Sequence, residues 1–240
     1  MRLTRPRPPI KELYRLLWRM QITRGRLIGL GVLGSITILI ALLGRGADDV
    51  NDAALGAVAG YGLGVVAAIS AVWVATSTLG NLVEDGLLVY LWTKPTDRWL
   101  IPIAALAASL SVLAMVVLVP VSIAAAVTEV DGLVTATIAA VTLSLAAYSS
   151  LFVALGLAFR RALWWGLAYI LIWENVIARV GSGTARFSIL SYGQSIIARA
   201  ADTEPRTGLR SSAASWIVPI VVTVAGMVFA TRRLDRAEID

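Results

Sequence analysis

The 240-residue chain is 58% apolar and only 15% charged, with a mean hydropathy of +0.79, where an average soluble protein is roughly 45–50% apolar and 25% charged. A soluble globule of this length cannot hide that much hydrocarbon, and intrinsic disorder is excluded by the same numbers. With no Cys, no His and a net charge of +6, the chain has no disulfides, zinc centres, Ser-His-Asp triad or cysteine nucleophile, and the excess charge is read loop by loop as a topology signal that calls for no nucleic acid.

These features predict an all-α polytopic membrane protein. Segment 1–26 is basic, with Arg2, Arg5, Arg7, Lys11, Arg15, Arg19, Arg24 and Arg26 against Glu12 alone. Pro6, Pro8 and Pro9 keep its start extended. From residue 10 to 22 the pattern turns helical, with Leu13, Leu16, Leu17 and Met20 on one stripe and Arg15 and Arg19 opposite. Tyr14 and Trp18 are side chains that settle at headgroup depth. The segment reads as an amphipathic helix on the cytoplasmic membrane surface, against the plainer reading of a disordered basic tail.

Six apolar runs follow, at 27–43, 55–79, 99–127, 133–159, 163–178 and 213–231, and together they make a six-span transmembrane domain over 27–231. A signal peptide is rejected for the first, because a long basic region precedes it and further spans follow. The 25 residues of the second exceed a roughly 30 Å hydrocarbon core and predict tilt or protrusion. Pro102 and Pro120 sit near the ends of the third, and Pro219 interrupts the sixth. With the amino terminus inside, the pieces 1–26, 80–98, 160–161 and 232–240 hold 15 of the 21 Lys and Arg residues. The first two outer loops carry Asp48, Asp49, Asp52, Glu129 and Asp131 against Arg45 alone. Both termini, including the tail 232–240, are therefore expected in the cytoplasm. An Ala- and Arg-rich, Lys-poor makeup points to a GC-rich bacterial genome, and so to a bacterial cytoplasmic membrane.

Several short patterns invite a chemical reading. Gly29, Gly31 and Gly34 match the dinucleotide fingerprint G-x-G-x-x-G, but inside an apolar run, with no strand before it, the match is accidental. Nothing matches G-x-x-x-x-G-K-[ST], so the chain holds no nucleotide in a P-loop. Gly56, Gly60 and Gly64, with Gly62 between, form a smooth strip on a helix; it serves either packing within the chain or a subunit contact. Trp173, Glu174 and Asn175 fall late in the fifth run. A carboxylate there is either locally paired, with Arg179 five residues on, or at a wet helix end, or it lines an outer gate. The polar stretch 179–212 opens with a turn at Gly181, Ser182, Gly183 and Thr184. It then carries a short helix over 189–200 with Ile196 and Ile197 on one side.

The loop 80–98 holds the most information. Glu84 and Asp85 precede Gly86, as acids near a helix start should. Leu87, Leu88 and Leu91 offer an apolar face, Pro95 halts the helix, and Arg98 with Trp99 marks re-entry into the bilayer. On its residues alone the segment is either an interfacial linker or a docking knob for a cytoplasmic partner.

This pattern resembles the cytoplasmic loop of type-two ATP-binding-cassette (ABC) exporter permeases. There an acidic pair and glycine, a short leucine-rich helix and a Ser/Thr-x-Pro-x-x-Arg turn join the second and third spans. Glu84, Asp85, Gly86, Leu87, Leu88, Leu91, Thr93, Pro95 and Arg98 take those places here, although Asn81, Leu82 and Val83 lack the charge common before the glycine. The amino-terminal helix is similar to the family's elbow helix, and six spans with both ends inside resemble its membrane domain. Trp173-Glu174 before a partly re-entrant segment is also similar.

The resemblance implies a non-catalytic subunit that binds no cofactor or metal, with ATP and magnesium in separate cytoplasmic ABC ATPase subunits. It further implies a second permease copy or paralogue across the pathway, and a hydrophobic or amphipathic cargo such as a drug, antibiotic, lipid or peptide. Two rivals stand beside it. A gradient-driven secondary transporter would show inverted repeats and midplane carboxylates, of which the sequence offers only Glu174. An intramembrane enzyme would need acid, base or metal groups clustered at depth, and His and Cys are absent.

Overall fold

Helices form where the apolar runs lie. The structure is a computed structural model that describes residues 10–84, 98–177, 183–205 and 208–236. Among these every regular element is helical. Helix α1 is Ile10–Gln21, α2 is Arg24–Gly44 and α3 runs from 50 to 84. Next come α4 (Leu100–Val127), α5 (Leu133–Ala158) and α6 (Ala162–Ile177). A 3-10 turn, Thr184–Phe187, leads into α7 (Ile189–Ala200), and α8 (Ser212–Arg236) closes the chain.

Local chemistry sets several of the boundaries. Asp49 caps α3 by accepting the Asp52 amide at 3.0 Å. Gly132 opens α5 with φ 74°, a left-handed conformation that glycine adopts at no steric cost. Pro120 has no N–H to give the carbonyl four residues back, and the turn just before it, Ala114–Leu118, is π-helical. Gly34 of α2 lies against this irregularity. A Cβ there would stand 2.7 Å from the Pro120 ring and 3.3 Å from the Val116 carbonyl. The supposed dinucleotide motif is thus a packing site, and Gly29 likewise faces the Trp73 ring.

Contacts at the helix ends show the helices running alternately between two ends of a bundle. At one end Arg26 of α2, Gly80 of α3 and Arg161 between α5 and α6 line one cavity, and Arg98 before α4 donates to the Asp235 carbonyl of α8 at 3.0 Å. At the other, Arg45 after α2 pairs with Glu129 before α5, and Arg199 of α7 donates to the Ser215 hydroxyl of α8 at 3.4 Å. The first end gathers Arg24, Arg26, Arg98, Arg160, Arg161, Arg232, Arg233 and Arg236, whereas the second gathers Asp48, Asp49, Asp52, Glu129 and Asp131.

Helix α5 is the hub, packed on α3, α4, α7 and α8. Among the described residues its Tyr148 and Phe152 are the largest fully buried side chains. Backbones close tightly where α3 meets α5, since a Cβ on Gly156 would lie 3.0 Å from the Thr76 carbonyl and 3.3 Å from the Gly80 amide. Helices α2 and α8 are peripheral and turn apolar faces outward, including Ile28, Val32 and Leu39 on one and Ile217, Val221 and Val224 on the other. Water would not tolerate such a girdle. Among the described residues five helices are long and apolar enough to cross a membrane, an architecture suited to a multi-pass membrane protein. Helix α6, at the fifth expected run 163–178, falls short of a span: its 16 residues reach about 24 Å, against a core of roughly 30 Å.

Helix α1 packs across α4 and touches α3. Leu17 is buried, the Tyr14 hydroxyl donates to Ser111 at 2.8 Å, and the Gln21 amide donates to Thr78 at 2.8 Å. Thr78 in turn shares a 2.9 Å hydrogen bond with Ser109. The expected single stripe is therefore divided. Leu17 faces the bundle while Leu16 and Met20 stay exposed, because the packing face is built around Tyr14 and Gln21, whose polar tips find hydroxyls on α3 and α4.

Candidate functional site

The second half of α6, Tyr169–Ile177, is π-helical. The Asn175 side chain donates to the Ile170 carbonyl at 2.9 Å, giving that widened backbone a partner. This geometry turns Glu174 inward, where it is 1% exposed. Its carboxylate collects three donors. The Tyr169 hydroxyl and the Ile189 amide each lie 3.0 Å from Oε1, and the Ser188 hydroxyl binds Oε2. Tyr148 of α5 faces the same carboxylate without closing a hydrogen bond. It stacks on Phe152 at 5.9 Å, and Phe152 meets the Tyr169 ring edge-on at 6.2 Å. One carboxylate thus ties α6 to the start of α7, against the aromatic face of α5.

The receiving end of α7 is built for an anion. Ser188 is its N-cap and accepts the Ser191 amide at 3.2 Å. The first amides of a helix lack internal partners and carry the positive end of its dipole, so a carboxylate is stabilised there. The preceding turn is clamped as well: Trp173 Nε1 donates to the Phe187 carbonyl at 3.3 Å, and the Tyr192 hydroxyl to the Arg186 carbonyl at 2.6 Å. Helix α7 then lies within the bundle. Gly193 approaches α3 and α5 so closely that a Cβ would be 2.6 Å from Leu63 and from the Ser144 hydroxyl. The short helix expected over 189–200 is a buried wedge.

The structure bears on one of the sequence alternatives for Glu174. A wet helix end is overturned by its burial, and its described partners are hydroxyls and a backbone amide. Arg179 lies outside the described residues. Trp173 and Asn175 are not gathered at the carboxylate, since each binds a backbone carbonyl elsewhere. Sequence reasoning missed Tyr148, Tyr169 and Ser188. The serine was findable, as an N-cap residue directly before an apolar helical pattern; Tyr169 lies one wide turn before Glu174 on the same π-helical stretch, and Tyr148 comes from another helix and leaves no spacing signal.

Of the loop candidates, Glu84 ends the α3 backbone, and Asp85, Gly86, Leu87, Leu88, Leu91, Thr93 and Pro95 lie outside the described residues. Arg98 is placed on the last turn of α8, where its guanidinium meets the carbonyl end of the helix dipole. The glycines of the strip have different surroundings within the chain. Gly56 has open space around it, and Gly60 meets only its own helix. Gly62 touches Val121 and Thr37, and Gly64 touches Leu190. The strip lies in the π-helical stretch Gly56–Ala67. The tightest in-chain contacts fall instead at Gly34, Gly193 and Gly226.

Among the described residues no group of three metal-ligating side chains forms. No family model and no curated protein matches the chain.

Proposed function

We propose that this chain is the membrane-spanning permease subunit of an ABC exporter, moving a hydrophobic or amphipathic cargo by means of ATP hydrolysed in separate cytoplasmic subunits. The observation that carries the reading is the pattern from Glu84 to Arg98, which joins α3 to α4 at the arginine-rich end of the bundle. The amphipathic α1, tucked under α3 and α4 at that end, supports it as an elbow helix. So does the alternation of six helices between the two ends, with α6 as a short fifth crossing. The arginine-rich end is then cytoplasmic, as the distribution of Lys and Arg requires.

In this reading the ATPase pair closes on ATP and presses on the loop around Gly86. Helices α3 and α4 transmit the push, because the loop joins them directly. Two permease copies, or this chain and a paralogue, enclose the pathway. At the far end Glu174 holds α7 in the bundle as a plug on the exit.

The test is reconstitution with the ATPase recovered from native membranes. Reversing Glu84 and Asp85 to Lys, or replacing Gly86 with Trp, is expected to leave insertion intact and to abolish cargo-dependent stimulation of ATP hydrolysis. Unchanged coupling, or native membranes that never deliver a bound nucleotide hydrolase, overturns the reading. Transport driven by an ion gradient without ATP would replace it with a secondary transporter.

A further inference from the structure

Helices α5 and α8 meet closely where Gly226 faces Ser150. A Cβ on the glycine would lie 2.8 Å from the serine hydroxyl and 3.0 Å from its carbonyl carbon. Beside that crossing, toward the arginine-rich end, the surface between the two helices is recessed into a groove of about 470 Å³. Small residues leave the room: Ala154 and Ala158 on α5, with Ala225 and Gly226 on α8. Leu151, Phe159, Val222 and Phe229 stand around them. No described lining side chain carries a polar atom. The nearby Ser150 hydroxyl is spent within its own helix, donating to the Ala147 carbonyl at 2.9 Å.

The occupant follows from the lining, the place and the length. Water entering the groove would find no partners, and an empty recess would forfeit the contacts of every atom that faces it. The groove opens on the apolar girdle between the exposed rings of Phe159 and Phe229, so hydrocarbon is the medium that reaches it. Its walls, 151–159 and 222–229, run for about 12 Å at about 1.5 Å per residue, which is within one leaflet of a roughly 30 Å core. That length suits one acyl chain entering from the near leaflet and is short of the seat of a membrane-spanning helix. The groove also leads to headgroup depth. Helix α8 continues beyond Phe229 to the exposed Arg232 and Arg233, and Arg160 follows Phe159.

We infer that this groove binds one acyl chain of a phospholipid from the leaflet at the arginine-rich end. The chain lies lengthwise against the small residues and braces the peripheral α8 on the hub helix α5. Recognition is of the hydrocarbon, and the headgroup is not selected. This inference is independent of any ATPase partner.

Native mass spectrometry of the purified full chain tests it, with dipalmitoyl phosphatidylcholine and dipalmitoyl phosphatidylglycerol as probes. The wild type is expected to retain one molecule of either lipid about tenfold more tightly than the groove-filled Ala158→Phe/Ala225→Phe variant, the worth of roughly ten carbon–carbon contacts. Val221→Phe/Val224→Phe adds the same rings on the exposed face of α8 outside the lining, and is expected to retain lipid as the wild type does. Photolysis in nanodiscs of a phosphatidylcholine with a diazirine in its acyl chain needs no variant. Its adducts are expected to concentrate at 151–159 and 222–229 over the exposed apolar face of α2. If the filled variant does not fold, this adduct map decides. Equal retention by the wild type and the filled variant overturns the inference, as do adducts spread evenly over both faces. A preference for phosphatidylglycerol that survives filling would overturn it by placing binding at the arginines. A dimer that the filled variant breaks would overturn it by making the groove a subunit contact.

Discussion

Replacing Glu174 with Ala strands three donors at once. The Ile189 amide, 3.0 Å from Oε1, is fixed by the helix it begins and has nowhere to turn. The Ser188 hydroxyl rotates, and Tyr169 is only partly buried, so both recover some of their loss. A buried donor left unsatisfied costs about 1–3 kcal/mol, and with partial recovery by two of the three the sum is about 3 kcal/mol. The loss falls on the N-terminus of α7, so local opening of that helix should report it. At about 1.4 kcal/mol per tenfold, hydrogen exchange at amides 189–191 is expected to accelerate by about two orders of magnitude. Glu174→Gln keeps an acceptor for the Ile189 amide and Tyr169, and should cost about 1 kcal/mol. Exchange measured by mass spectrometry in detergent or nanodiscs separates the two variants. Unchanged exchange in Glu174→Ala would refute the pin. Equal acceleration in Glu174→Gln would show that charge, and not acceptor geometry, holds the helix.

Two other outcomes follow from packing and charge. Gly34→Ala forces a methyl to 2.7 Å from Pro120 and should cost about 1–3 kcal/mol in detergent unfolding. Gly31→Ala meets open space and should gain about 0.5–1 kcal/mol from helix propensity, so equal effects at the two sites would contradict the close approach. Arg45→Ala removes the ion pair with Glu129, whose side chains are 44% and 72% exposed, and should cost about 0.2–1 kcal/mol at low salt. That cost should vanish at 1 M salt, where the Debye length is about 3 Å, and persistence there would point to a packing role.

Legibility differed from element to element. The expected runs 27–43 and 133–159 correspond closely to Arg24–Gly44 and Leu133–Ala158. The short helix expected over 189–200 is Ile189–Ala200. The stripe on α1 was misassigned because periodicity reports an apolar face without saying what covers it. Leu16 and Leu17 are adjacent in sequence, yet one is 53% exposed and the other 1%. The backbone under Gly56, Gly60 and Gly64 is π-helical, which the residue spacing did not foretell.

The sequence by itself determined that the chain is helical, apolar beyond what water tolerates, and charged asymmetrically between alternate loops, because helix formation and transfer from water depend on residues close together along the chain. Which helix became the hub, that α7 is a wedge inside the bundle, and that Glu174 meets Ser188 and Ile189 were decided only by tertiary structure. Those partners lie 14 and 15 residues from the carboxylate, across a turn. A buried carboxylate needs donors, but only packing brings three of them within reach.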